Sequence, residues 1–362
     1  MKIHIIGWSG ITHSYSFAIE TYFKGFLFEK DVEMYFTHCM TYNNTWKKSR
    51  LSFLDNLKSP LDTDVFDITF RMTYPYDYNP DPKSKLTIVF TTCEFMVIHN
   101  TNNQYFDLST TNVYVLTPSI FSKQGLIRSF VPYNKIITIP HGIHIIDIKD
   151  SKQELRRKYK IPENSYVFFH NSSLTENKNP KYIFNGFNKL EHSNVILIIK
   201  GCDNIYSSKN IFDTYVKSLS MQIQKKIYYI GNDLTDTEMA ELYTLSDCYL
   251  SPYIVEGFNI PVLEAMIYGL QVICTKKGPT DEFANAFFID SVLFTGNEVE
   301  IINGIPIKKQ VLLPDFKSMV TLMKTVITSP KKIDVSFYRN NYSENIINNI
   351  LYKTFKNLLF KF

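Results

Sequence analysis

Tyr249-Leu250-Ser251-Pro252-Tyr253-Ile254-Val255-Glu256-Gly257-Phe258-Asn259-Ile260-Pro261-Val262-Leu263-Glu264 decides how this chain is read. Tyr249 to Pro252 has the length and apolar character of a short buried strand. Pro261 stands where a helix begins and Gly269 where it ends. Glu256 and Glu264 therefore bracket a strand-to-helix turn. The first turn of a helix has no internal acceptors for its N–H groups. Gly257, Phe258, Asn259 and Ile260 thus offer backbone N–H donors at the positive end of a helix dipole, a site suited to phosphate. Gly257 lacks the Cβ that would hold a ligand off the backbone. Glu264 lies one turn in, between Leu263 and Ala265. A carboxylate there is costly unless hydrogen-bonded, and two adjacent hydroxyls, as on a ribose, would satisfy it. The bland alternative is a surface turn with incidental acids.

Outward from this segment, short apolar runs alternate with helix signals. Ile3–Ile6, Val32–Phe36, Val65–Phe70, Leu86–Thr91, Val113–Leu116 and Lys135–Ile139 have strand length in the first half. Helices are expected over Tyr15–Phe28 and from the cap Ser119 to about Phe130. Tyr166–Phe169, Val195–Ile199 and Ile227–Ile230 are strands of the second half. Pro180 opens a helix with Ile183, Phe184, Phe187 and Leu190 on one face. Thr235-Asp236-Thr237-Glu238 is a capping box for the next helix. Such alternation implies parallel sheets covered on both faces. A charged stretch over Lys149–Lys160 marks the boundary. The expected division is 1–150, 151–333 and a terminal helical segment over 334–362.

A chain of 362 residues with 44% hydrophobic content is an ordinary globular composition for about two domains. The net charge of +4 and the lack of any basic block leave no footprint for nucleic acid. Cys39, Cys93, Cys202, Cys248 and Cys274 are five single cysteines without metal or redox spacing, which points to a reducing, cytoplasmic setting. The start Met1-Lys2 leads into a strand rather than a leader, and no apolar run reaches the length of a membrane span.

The segment around Glu256 resembles the donor-site signature of retaining glycosyltransferases of the GT-B fold, in the large family four group. The match runs on through Glu264-Ala265-Met266, Gly269-Leu270-Gln271-Val272-Ile273 and Gly278-Pro279-Thr280-Asp281-Glu282-Phe283. Asn112–His144 and Phe168–Asn179 are similar to the family's exit from the first domain and its entry to the second. The first 85 residues match in style alone. The resemblance implies an α/β protein of two facing doubly wound, Rossmann-like domains with the site in the cleft between them. It implies a nucleotide-diphosphate sugar as donor, no cofactor and no metal. The acceptor would be a glycan, a lipid-linked group or a protein, held by the first domain.

By the same resemblance Glu256 lies by the transferred sugar and Glu264 binds the ribose. Gly257, Phe258, Asn259, Ile260 and Lys178 serve the diphosphate, Lys178 as a mobile point charge. Relatives often carry an arginine where this chain has Ser173. Glu94, after the strand Leu86–Thr91, is the counterpart of a catalytic acidic residue in some relatives, with His99 as the competing choice. Gly10 and His13, in and after Gly7-Trp8-Ser9-Gly10, fall on the sugar or acceptor side. His141 lines the cleft or packs structurally, the latter favoured. Asp62 and Asp64 precede a strand and read as capping or surface groups.

The terminal segment from about Ser343 is expected as a helix with Ile346, Ile347, Ile350, Leu351, Phe355, Leu358, Leu359 and Phe362 on one face. Docking back onto the first domain is favoured over peripheral membrane contact. Two rival functions stand beside the transferase. One is an inactive nucleotide-sugar-binding scaffold on the same fold. The other is an NAD-dependent enzyme, disfavoured by the incomplete glycine fingerprint.

Overall fold

The computed structural model describes residues 1–40, 43, 45–99, 107–190 and 194–361. It separates into two compact units. The first comprises residues 1–144, 295–311 and 341–362, and the second 145–294 and 312–340. Each unit has a six-stranded, wholly parallel sheet.

In the first unit the strands are β1 (Lys2–Gly7), β2 (Glu33–His38), β3 (Phe66–Met72), β4 (Ser84–Phe90), β5 (Val113–Thr117) and β6 (Ile136–Thr138). Their order is β2-β1-β3-β4-β5-β6. The sequence expectation of one helix over Tyr15–Phe28 is corrected at its end. The α-helix covers Ser14–Phe23, and Lys24–Phe28 tightens into a 3₁₀ turn. There the amide of Asn348, from the terminal helix, accepts from the Gly25 N–H and donates to the Thr21 carbonyl.

That terminal helix, Glu344–Leu359, buries Ile347, Leu351, Phe355 and Leu358. The Phe355 ring packs against Phe23, Phe26 and Phe70. The single apolar face expected here is in fact divided. Ile346 and Ile350 are 39% and 41% exposed. Helical spacing turns them away from the i, i+4 row that Ile347, Leu351, Phe355 and Leu358 form. Phe362 lies outside the described residues.

In the second unit the strands are β7 (Tyr166–Asn171), β8 (Val195–Lys200), β9 (Ile227–Ile230), β10 (Cys248–Ser251), β11 (Gln271–Thr275) and β12 (Phe287–Ile289). Their order is β12-β11-β10-β7-β8-β9. All six residues of β8 are buried, as expected of a central parallel strand covered on both faces. Helices Pro180–Asn188 and Phe316–Thr328 supply Ile183, Phe184, Phe187, Met319 and Met323 to the core beside Leu197, Ile199 and Leu250.

A two-stranded ribbon, β13 (Ser291–Ile302) and β14 (Ile305–Pro314), completes the set. Asn303 and Gly304 join the strands at φ 52° and 80°, the left-handed pair that a two-residue hairpin turn needs. Residues 295–311, expected in the second domain, cluster with the first unit. Ile302 joins the core of Val97, Ile98 and Val113, and Gln310 N–H donates to the Phe95 carbonyl at 3.0 Å. No helix among the described residues is long and apolar enough to cross a membrane.

Candidate functional site

Read from β7 onward, the second sheet has the order 3-2-1-4-5-6, which reverses between β7 and β10. Ligands of open parallel sheets lie beyond the carboxyl ends of the strands at this reversal. Two stretches emerge there. One follows β7, from Ser172 to the helix Pro180–Asn188. The other follows β10, from Pro252 to the helix Ile260–Ile267. The Ile254 N–H donates to the Asn177 carbonyl at 2.8 Å and ties the two together.

Both helices open in the same way. Asn179 and Asn259 stand at their N-caps with φ 53° and 78°, followed by proline in the first turn. Asparagine tolerates this left-handed conformation better than other non-glycine residues. The Asn259 side-chain amide donates to Ser251 Oγ at 2.9 Å, which anchors the turn to the end of β10. Gly257, Phe258 and Asn259 are buried and Ile260 is half-buried. Phe258 stacks on Phe283 at 4.8 Å between ring centres, so its side chain serves packing. The helix Ile260–Ile267 ends as expected at Gly269, with φ 79°. Leu270 N–H reaches the Ala265 carbonyl at 2.9 Å and Gly269 N–H the Met266 carbonyl at 3.1 Å, the paired bonds of a Schellman cap.

Glu256 is buried, and its Oε1 lies 2.5 Å from Lys178 Nζ. Lys178 was read from the sequence as a mobile charge for a diphosphate. In the fold its ammonium stands in an ion pair with Glu256, because a buried carboxylate needs a counter-charge. Glu264 is half-buried and accepts from the Tyr243 hydroxyl at 2.6 Å. Burial pushes its carboxyl up to about 7, against the opposing effect of the Tyr243 hydrogen bond. The sequence expectation left a diol as its partner; tyrosine already satisfies one oxygen.

Behind the pair sits His170, at the end of β7. Its Nδ1 is 2.7 Å from the Leu250 carbonyl and its Nε2 2.6 Å from Ser172 Oγ. Burial, reinforced by the charge of Lys178, pulls its pKa down to about 4. The ring is therefore neutral, with Nδ1 as donor and Nε2 accepting from serine. His170 and Tyr243 were missed from the sequence. A histidine at a strand end and a tyrosine on a helix carry no local sign of the partner each meets. Ser173, where relatives carry arginine, has its hydroxyl 3.2 Å from Thr175 Oγ1.

The remaining candidates lie in the first unit. Gly10 has φ +69°, and a Cβ there would stand 2.6 Å from the Arg50 carbonyl oxygen. His13 is the N-cap of the helix Ser14–Phe23, its Nδ1 accepting from Tyr15 N–H at 3.1 Å. Its ring packs edge-on to Trp8 at 4.9 Å. Glu94 is half-buried just past β4, close enough for its charge to raise the pKa of Tyr15 and Cys93 beyond what burial does. His99 has its Nδ1 2.5 Å from Glu300 of β13 and its ring 5.5 Å from that of Phe95. His141 is buried between the rings of Tyr22 and Phe90, and burial lowers it to about 3. Asp62 pairs with Lys83, and Asp64 accepts from Leu61 N–H. Among the described residues no cluster of three or more His, Cys, Asp or Glu is placed to hold a metal.

The family of glycosyl transferases group 1 matches residues 151–305. A lipopolysaccharide 1,2-N-acetylglucosaminetransferase of Salmonella typhimurium is 25% identical over 195 residues, 52% of this chain and 50% of that protein. An uncharacterized glycosyltransferase of Methanocaldococcus jannaschii is 28% identical over 173 residues, 45% of this chain and 42% of that one. The chain spans about half the length of these curated relatives. Among solved structures, Anabaena HepE in complex with UDP-glucose superposes with a TM-score of 0.70 at 13% identity, covering 99% of this chain and 100% of that one. A glycosyltransferase from Rickettsia africae does so at 0.67 and 17%, covering 99% and 98%. Residues 151–305 thus match the glycosyl transferases group 1 domain, and the whole chain has the two-sheet GT-B fold of these solved glycosyltransferases.

Proposed function

We propose that this chain is a retaining, metal-independent glycosyltransferase that moves a sugar from a nucleotide-diphosphate sugar to an acceptor hydroxyl on a glycan or glycolipid. The observation that carries the reading is the pair Glu256 and Glu264 flanking the helix start beyond β10, with Lys178 in contact with the first. Glu264 holds the ribose diol. Lys178 and the helix start stabilise the diphosphate and the negative charge that grows on it as it leaves. Glu256 faces the sugar and offsets its developing positive charge. The acceptor hydroxyl attacks from the side the diphosphate departs, and a phosphate oxygen takes its proton. Glu94, Gly10 and His13 belong to the sugar and acceptor side. The names of the Salmonella transferase and of the UDP-glucose complex of HepE support a sugar nucleotide as donor.

Incubating the purified chain with UDP-, GDP- and ADP-sugars and following nucleoside diphosphate release tests this. The expected result is slow donor hydrolysis with one base, lost in Glu256→Gln. One observation favours a second reading, a nucleotide-sugar-binding scaffold. Ser173 replaces the arginine of relatives, and Lys178 is engaged by Glu256. Binding without hydrolysis or transfer would select it.

A further inference from the structure

Glu264 depends on a residue that neither the donor signature nor its immediate neighbours contain. Tyr243 lies on the helix Asp236–Leu245, which begins with the capping box of Thr235 and Glu238. The phenol is fully buried, and its hydroxyl donates to Glu264 Oε2 at 2.6 Å. Its ring is fixed on three sides. Tyr268 stacks parallel to it at 5.6 Å and 6°, Phe169 meets it edge-on at 5.1 Å, and Tyr249 lies at 6.1 Å. Tyr268 is itself held, its hydroxyl donating to the Ile146 carbonyl and accepting from the Ile146 N–H. So held, the ring sets its hydroxyl against the Glu264 carboxylate, with the Asn171 side chain as a second hydrogen-bonding neighbour.

We propose that Tyr243 is a positioning residue for ribose recognition, orienting the Glu264 carboxylate and favouring the anion, which accepts both hydroxyls of a cis-diol. The proposal rests on the ribose role given to Glu264 above. With Oε2 already accepting one bond from tyrosine, the carboxylate cannot rotate freely. Oε1 and the second lone pair of Oε2 are left for the diol. A neutral carboxyl would present an O–H in place of an acceptor and lose one of these bonds. The groups facing Glu264 are Tyr243 and Asp236 from that helix, Tyr249 from β10 and Tyr268 from the end of its own helix. Tyr243 is the only one of these four whose bond favours the anion. Burial and the charge of Asp236 oppose it.

Affinity of the full chain for UDP, GDP and ADP is measured first, and the tightest is used with its 2′,3′-dideoxy counterpart from pH 5.5 to 9. Tyr243→Phe keeps the ring and its packing. The variant is expected to bind about tenfold more weakly near neutral pH, to recover as pH rises towards 9, and to bind the dideoxy ligand like the parent. Tyr243→Phe combined with Glu264→Ala is expected to be no weaker than Glu264→Ala alone, because one residue acts through the other. A loss that is equal at every pH and for both ligands, or that adds to Glu264→Ala, overturns the positioning role and returns Tyr243 to the core. If the parent chain and Glu264→Ala bind the two ligands alike, the ribose assignment itself has failed, and the role of Tyr243 falls with it.

Discussion

At the scale of single residues, two carboxylates of one segment are placed in opposite circumstances. Glu256 has a lysine at 2.5 Å, whereas Glu264 has a neutral phenol and a carboxyl raised to about 7 by burial. The raised group works against folding as pH climbs, since stability from this residue falls between its ordinary value and about 7. A diol that prefers the anion shifts the balance back. Nucleotide affinity is therefore expected to rise with pH through about 7 and binding to release protons there, which calorimetry in buffers of differing ionisation enthalpy reads directly. Glu264→Ala should weaken nucleoside diphosphate binding about tenfold or more, charged hydrogen bonds being worth ~1.5–3 kcal/mol each at most. Unchanged affinity in the folded variant would remove the ribose role. For Glu256→Gln, the shape and a hydrogen-bond acceptor for Lys178 remain while the charge is lost. Turnover should fall at least about tenfold, equivalent to ~1.4 kcal/mol, with nucleoside diphosphate affinity nearly constant. Interactions made in the transition state alone lower kcat and kcat/KM together. Normal turnover would return Glu256 to a structural role.

At the scale of elements, the helix Ile260–Ile267 shows how a short segment is fixed at both ends. Its start is pinned by Asn259 to Ser251, and its finish by the Schellman bonds at Gly269. Both ends were legible in the sequence, because Pro261 and Gly269 are local backbone constraints. Gly269→Ala should lower stability by about 1–2 kcal/mol, the cost of a Cβ in the left-handed region. The added Cβ would also stand 3.1 Å from Val335 Cγ2. A depressed Tm with nucleotide affinity retained is the expected result. An unchanged Tm would mean that the helix end is not held in this conformation. Other elements were less legible. Asn303-Gly304 carries the strongest short hairpin signal a sequence offers, but the flanking strands are largely exposed and lack the alternating apolar face that identifies a strand. The terminal helix was legible as a helix. Which of its isoleucines would be covered depended on the partner surface around Phe23, Phe26 and Phe70.

At the scale of the whole molecule, the chemistry proposed here asks Lys178 and a helix start to do what a metal does in other enzymes. Transfer, or donor hydrolysis, is accordingly expected to survive EDTA. Loss of activity with restoration by manganese would contradict this account of leaving-group stabilisation. The chain does not fold as two consecutive blocks. Residues 295–311 and 341–362 join the first unit after the second has been entered.

The sequence by itself determined the two parallel sheets, the strand-to-helix turn between Glu256 and Glu264, the caps at Thr235 and Gly269, and the kinship those residues carry. Each is written in local pattern: apolar runs of strand length, a proline, a glycine, a spaced pair of acids. Only the tertiary structure decided that Lys178 meets Glu256, that Tyr243 meets Glu264, that His170 is a neutral strut behind them, and that His13 caps a helix. The first two partners lie 78 and 21 residues apart. The first pair meets because β7 and β10 are neighbours in a sheet whose strand order no local pattern states, and the second because the helices before and after β10 bring their side chains together.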